Sequence, residues 1–574
     1  MLSHPATLLR LPADVLRDIC DILIDDYIKF DRERPGLHSV VSLVRVCRAV
    51  HEPAADALWC TLPGLVPLGY TMPHDLWSVT DVDGFTELGK RTEMIFNRLL
   101  VEDDFRRLSH YASRVRQIIR PWECHHLPHR IRRCNASPKM LLALRIFLAG
   151  RPILPSLCML ELASTGVRRK RSYLDASATI LLAPSVNALR LIPSSQRDWQ
   201  EEVLFDVLTR TRQVTPHLQS LYIDYLAMPH VFPEGILSAA ICSFHHLQSF
   251  SADRLALSSS ALTHLARLPG LRILRALLRS DQVAILQEAA TISPLFPALQ
   301  DIAVKERNAF ADALALLNLI TSSEIRSIDF EVVQPDDDFA PLTNPYAPGA
   351  VEIFRAIGTR EHNGAVAIIR VSAGMWHYRL PGNITAINEA TLKPLYALPA
   401  LRDLVVHINC DFDIEDATIS RMARKWPLLR RLEFGFDELI RNNHEPTVSL
   451  SCIASLAGAC PHLENLRMGV DTSTVAHARS QDVRPPVSDK LTRLEVGWSV
   501  MGDPVAVAGF LSESFPRLRK VHHAWLTEED FGIEVPEEYE IHGELWGHVD
   551  ILLHQFASIR EQERNWANLK GRSP

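Results

Sequence analysis

No apolar run in this 574-residue sequence approaches the length of about eighteen residues that can cross a bilayer. The opening MLSHPATLLR lacks the charged and apolar regions of a secretory leader. The ten cysteines are scattered singly, without a CxxC pair or a dense framework. Neither sign of charge dominates: 61 Lys and Arg against 68 Asp and Glu leave a formal −7, too small at this length to mark a nucleic-acid binder. GxSxG, HExxH, Walker and dinucleotide fingerprints are missing. The 24 histidines do not gather a nucleophile, a base and an orienter; His245-His246 and His522-His523 belong to repeat blocks. These absences lead us to expect a reduced, intracellular protein, cytoplasmic, nuclear or both. It should engage neither membrane nor nucleic acid and carry no catalytic residue, metal or cofactor. Apolar content of 47% and charged content of 22% are those of a globular chain.

What the sequence does contain begins at Leu11–Trp59. Leu11-Pro12 opens a helix, with the proline where its missing N–H costs nothing. Val15, Leu16, Ile19, Ile22 and Leu23 form an apolar stripe at helical spacing, long enough for two short helices. A second periodic run joins Val40, Leu43, Val44, Val46, Cys47, Val50, Ala54, Ala57, Leu58 and Trp59, and Pro53 is expected to split it near Val50. Three or four helices in so few residues bury too little to stand alone. LPxDVLxxIxxxL followed by SLxxVCRxxxxxAxxxLW resembles the F-box motif, except that Asp25–Gly36 makes its middle longer and more polar than usual. The resemblance implies docking onto the Skp-type adaptor of a cullin-RING (SCF) ubiquitin ligase, and through it onto cullin. The adaptor-facing residues would then be Leu11, Pro12, Val15, Leu16, Ile19, Leu23, Val46, Cys47, Arg48 and Trp59.

Beyond this module, residues 61–152 read as a helical linker and the start of a second region. Thr86–Leu100 and Asp104–Ser113 have helical periodicity, Val115–Ile119 reads as a first strand, and Ser137 caps a helix with Pro138 in its first turn. Cys124, His125, His126, His129 and Cys134 supply atoms for a metal but no recognised ligand spacing, so a loop is the expectation.

From Leu154 onward a block recurs: FPALQDIAV, WPLLRRLEF, CPHLENLRM, TPHLQSLYI and, more loosely, FPRLRKVHH. Its anchors are Leu157, Val186, Leu218, Leu247, Leu271, Leu299, Ile325, Leu401, Leu429, Leu463, Leu491 and Leu518, spaced by about 28 residues. The gap after Ile325 is expected to hide one more unit at Val366–Val371, behind a proline-rich insert at Gln334–Gly349. Alternation in each block is a strand with one buried face. Helical stretches such as Glu202–Arg212 and Ser258–Leu268 precede most strands. One strand and one helix cannot close a core, so units must stack. The pattern resembles long, irregular leucine-rich repeats without the asparagine of the strict consensus. The rival is an ordinary α/β domain; a block at one fixed position per unit favours the repeat.

The expected fold is thus an α/β repeat: an all-α module over 1–60, a horseshoe solenoid over 153–532, and a helical cap over 533–574. The cap would pack through Trp546, Val549, Ile551, Leu552, Phe556 and Ile559. Outward strand residues, mixed in charge, would meet a protein partner: Tyr222, Asp224, Arg275, Lys305, Asp329, Glu331, His407, Glu433, Arg467, Glu495 and His522. Arg168–Arg171 and Asp336–Asp338 read as solvated loops. Length, long proline-tagged repeats and the LW ending together look most like the F-box/leucine-rich-repeat families of mushroom-forming fungi. That resemblance implies a substrate-recognition subunit of an SCF-type ligase, with no catalytic residue of its own. A scaffold that delivers no substrate, or a small-ligand site in the concave face, are the alternatives.

Overall fold

The structure, a computed structural model, describes residues 11–25, 35–86, 89–119, 134–163, 177–178, 180–192, 201–224, 234–307, 310–333, 346–373, 386–408, 410–435, 446–473, 475, 486–525 and 537–570. The chain divides into two compact units, residues 1–271 and 272–574. Cys124–His129, Arg168–Arg171 and Asp336–Asp338 lie outside the described residues.

The first unit opens with α1 (Ala13–Asp25), α2 (Pro35–Val46) and α3 (Arg48–Cys60). Cys20, Val40, Ala54 and Ala57 form their shared core, with Leu23, Ile24, Leu43 and Val44 packed against it. The first apolar stripe lies in one helix, not two. The second run breaks at Cys47, whose backbone is extended, and not at Pro53, which lies inside α3. Proline removes one donor there, yet Pro53, Ala54, Ala55 and Ala57 are all buried, and that packing holds the helix through it.

Next come β1 (Thr61–Leu62), β2 (Trp77–Thr86) and β3 (Gly89–Phe96), then the helix Phe105–Ala112, β4 (Gln117–Ile118) and β5 (Cys134–Ala136). The helix expected over Thr86–Leu100 is therefore a correction: most of that stretch is β3. It pairs antiparallel with β2 and parallel with β5, and this pairing overrides a weak local period. Met94 of β3 is fully buried. Ser137 does cap the helix Pro138–Leu148, its hydroxyl accepting the Met140 N–H at 3.1 Å.

β6 (Met159–Ala163), β7 (Ala188–Ile192), β8 (Ser220–Ile223) and β9 (Ser249–Ala256) continue a parallel ladder from β1 and β4. Its inward row runs Leu62, Ile118, Leu160, Leu189, Leu221, Phe250, all in register and all buried.

The second unit repeats the scheme in β10 (Ile273–Leu277), β11 (Asp301–Glu306), β12 (Ser327–Val332) and β13 (Ile368–Ala373). β14 (Ile387–Asn388) and β16 (Phe412–Asp413) make a small side pair. β15 (Asp403–His407), β17 (Arg431–Gly435), β18 (Asn465–Arg467), β19 (Arg493–Glu495) and β20 (Val521–His522) complete the ladder. Leu274, Ile302, Ile328, Ile369, Leu404, Leu432, Leu466, Leu494 and Val521 stack in one inward row. Helices such as Ala311–Leu319, Asp416–Lys425, Leu450–Ala459 and Pro504–Ser514 cover that face. Each unit is a leucine-rich-repeat type α/β solenoid, and the hidden repeat at Val366–Val371 is β13.

The proline before the anchor has a mechanical reason. The N–H of Leu157, Leu218, Leu429, Leu463 and Leu518 donates to the carbonyl three residues earlier, at 3.2, 3.1, 3.1, 3.0 and 3.0 Å. Pro155, Pro216, Pro427, Pro461 and Pro516 occupy the second position of those turns, where proline's fixed φ is preset. Each turn drops its anchor into the core, and every anchor named from the sequence is at most 3% exposed.

At the C-terminus the helix Glu537–Lys570 packs on Pro504–Ser514. Trp546, Val549 and Leu553 are buried, whereas Ile551 and Ile559 are exposed, which corrects the expected stripe. The indole N–H groups of Trp525 and Trp546 both donate to the Ser499 carbonyl, at 2.7 and 2.9 Å. Asp550 accepts the Val521 N–H at 2.8 Å.

Candidate functional site

The outward face of the ladder follows one rule: the fourth residue after each anchor points away from the helices. In the second unit this row is Arg275, Ala303, Asp329, Arg370, Val405, Glu433, Arg467, Glu495 and His522, each the direct register partner of the next. In the first unit it is Glu161, Arg190, Tyr222 and Ser251. Lys305, Glu331 and His407 share a parallel row two residues further on. Asp224 follows β8, its N–H donating to the Leu191 carbonyl at 2.9 Å.

Opposite charges meet across adjacent strands, and two residues apart along one strand, where side chains stand close enough to pair. Lys305 Nζ lies 3.1 Å from Glu331. Arg370 reaches Asp329 at 3.7 Å and Asp403 at 3.4 Å. Arg467 and Arg493 both reach Glu495, at 3.0 and 3.6 Å. Glu433 accepts from Arg431 at 2.6 and 2.9 Å and faces His407 Nε2 at 3.1 Å. In the first unit Arg190 pairs with Glu161 at 3.2 Å, and its guanidinium carbon sits 4.6 Å from the Tyr222 ring centroid.

These carboxylates are not loosely solvated. Glu161, Glu433 and Glu495 are 5%, 6% and 8% exposed. Burial would raise the Glu433 carboxyl, but the His407 and Arg431 contacts reverse this and hold it at about 2. At Asp329 burial wins over Arg370, and the carboxyl titrates above its ordinary range. Such a face offers polar, matched contacts to a protein surface and little net field to a polyanion. Sequence reasoning missed Arg370, Asp403, Arg431, Arg493, Glu161 and Arg190. Counting four residues from an anchor at Val366 would have found Arg370.

The helical module offers a different surface. Leu11 and Val15 are 36% and 38% exposed, Ile22 59% and Val46 66%. Pro12 and Arg48 are exposed; Ile19, Leu23 and Cys47 are half-buried. Leu16 is 4% exposed and belongs to the interior. Trp59 is half-buried, stacked on Tyr111 with centroids 4.4 Å apart.

Burial suppresses thiol chemistry at several of the described cysteines. Burial pushes the Cys452 and Cys460 thiols up to about 12 and about 11, and Cys134 and Cys410 upward as well. No group of three or more His, Cys, Asp or Glu side chains placed to hold a metal occurs among the described residues. No helix among them is long and apolar enough to cross a membrane.

No family model matches the sequence, and no curated protein does. Among solved structures, a chain of the Toll–Spatzle complex of Drosophila is similar over 75% of this chain, at 12% identity and a TM-score of 0.28. The likeness covers 61% of that chain.

Proposed function

We propose that the protein is a substrate-recognition subunit of an SCF-type cullin-RING ubiquitin ligase, with the three-helix module docking a Skp-type adaptor and the ladder face holding a protein target. The observation that supports this most is the apolar surface left on a small helical module that already has a core. Leu11, Val15 and Ile22 of the α1 region and Val46 at the α2–α3 junction are exposed while Cys20, Val40 and Ala54 close the interior. Exposed apolar side chains grouped on so small a module mark an interaction surface. Of these, Leu11, Val15 and Val46 are positions the F-box resemblance assigns to the adaptor, and Ile22 is not. Function would then be proximity: a tethered target meets the conjugating enzyme at raised effective concentration. The resemblance also points to the F-box/leucine-rich-repeat families of fungi.

A second reading, a scaffold that delivers no substrate, is favoured by the self-paired charge of the ladder face, which suits stable protein contacts equally well. The deciding experiment is co-purification of the intact chain with a Skp-type adaptor, against a Leu11→Ala/Pro12→Ala/Val15→Ala variant. Leu16 is left alone because it is buried. Binding that is lost in the variant supports the ligase reading. No binding by folded, monodisperse protein removes it, and binding without ubiquitin-dependent loss of any partner leaves the scaffold.

A further inference from the structure

The first unit holds a cleft of about 510 Å³ that shares Trp59 with the adaptor positions and otherwise lies outside them and the ladder face. It is lined by Trp59, Thr71, Arg106, Arg107, His110 and Tyr111. Three elements build it: the end of α3, the turn before β2, and the helix Phe105–Ala112. We propose that this cleft binds an oxyanion, a carboxylate or phosphate group, on its arginine wall.

The lining decides the ligand class. Four of the six side chains carry N–H donor heads, two of them the guanidinium groups of Arg106 and Arg107, and none is acidic. Arg107 is exposed and has no ion-pair partner among the described residues. Arg106 is paired with Asp103 at 3.2 Å, but both side chains are at least 80% exposed, and exposed pairs of this kind exchange at little cost. His110 Nε2 lies 3.4 Å from Arg114 Nη2. Arg114 is itself anchored on Glu52 and Asp56, which fixes the histidine's neighbour without placing a carboxylate in the cleft.

The lining also contains the Trp59–Tyr111 stack, its rings inclined by 24°. An apolar wall excludes water from one side of a bound group and strengthens charge-assisted hydrogen bonds on the other. Planar guanidinium forks match the two oxygens of a carboxylate or phosphate. A cationic ligand would meet the uncompensated charge of Arg107, and a neutral apolar one would bury guanidinium groups for no return. The test is independent of the adaptor reading, because its readout is anion binding alone.

The test is titration calorimetry of the full chain at low salt with two probes, inorganic phosphate and a blocked tetraglutamate peptide. An Arg106→Gln/Arg107→Gln variant is compared with an Arg267→Gln control at an exposed arginine elsewhere in the unit. Both cleft arginines are exposed, so the variant loses no packing. The expected result is saturable binding of at least one probe, weakened about tenfold or more in the double variant and unchanged in the control. Tighter phosphate binding assigns the cleft to a phosphoryl group; tighter peptide binding assigns it to polypeptide carboxylates. No saturable binding of either probe, or equal affinity in the double variant, overturns the proposal.

Discussion

Replacing Glu306 by glutamine should abolish most of the pH dependence of the second unit's stability between roughly pH 4.5 and 7. Glu306 ends β11 and is fully buried. Its Oε2 accepts the N–H groups of Asp312 and Ala313 at 3.0 and 3.2 Å, at the start of the helix Ala311–Leu319. Its Oε1 has no partner among the described residues. Burial first, then the neighbouring Asp312, raises the carboxyl from its usual 4.5 to about 7, against the pull of the backbone N–H groups. The folded state therefore holds a proton that the unfolded chain releases near 4.5. Stability is fully present below that value and falls as pH rises toward 7. A shift of this size corresponds to roughly 3 kcal/mol, at about 1.4 kcal/mol per unit. Glutamine keeps the acceptor for the helix N-terminus and cannot ionise. Urea unfolding of both proteins at pH 5, 6, 7 and 8, with amide exchange of Ala311–Leu319 as local readout, should give a falling curve for the native chain and a flatter one for the variant. The two should be of similar stability at pH 5. Parallel curves, or a variant equally destabilised at every pH, would refute the reasoning.

Two further perturbations test other parts of the fold. Glu433→Gln should act in the opposite pH window: the carboxyl is held at about 2, so the stability it contributes is present above about 4.5 and is lost as pH falls through its folded value. Allowing for solvent around Arg431, the native chain should lose roughly 2 kcal/mol more than the variant between pH 5 and 2, measured by acid unfolding. Ser137→Ala removes the acceptor of the Met140 N–H and should cost about 1 kcal/mol, read as faster amide exchange in the helix Pro138–Leu148; unchanged exchange would show that the cap contributes nothing.

The repeat was legible because its signal is doubly determined. An anchor must be apolar to fill the core, and a proline beside it presets the turn that places it, so Leu429 with Pro427 or Leu463 with Pro461 can be read without structure. The outward charges were only half legible. Glu433, Arg467 and Glu495 lie at fixed offsets from clean anchors, whereas Arg370 follows Val366, an anchor without a proline turn and placed after an irregular insert. β3 was misread for a different reason. Met94 and Ile95 fit a helical period as well as an extended one, and only the partner strand β2 decides between them. Cap residues behave likewise: Trp546, Val549 and Leu553 are buried while Ile551 is exposed, a choice made by the elements the helix packs on.

The charge pairing on the ladder face also constrains how a target could be held there. Adjacent strands stand about 4.8 Å apart, so Arg370 beside Asp329, or Arg467 beside Glu495, cancels most of its neighbour's field within a Debye length of about 8 Å. Long-range steering from such a face is weak, and selectivity must come from contact. A partner has to offer a donor where Glu495 lies and an acceptor where Arg467 lies, in the spacing the register imposes. The arginine cleft beside Trp59 differs in kind, because Arg107 is uncompensated and its field reaches solvent. Were both surfaces to act on one target, the cleft would set how fast an acidic segment arrives, and the ladder would set which surface stays.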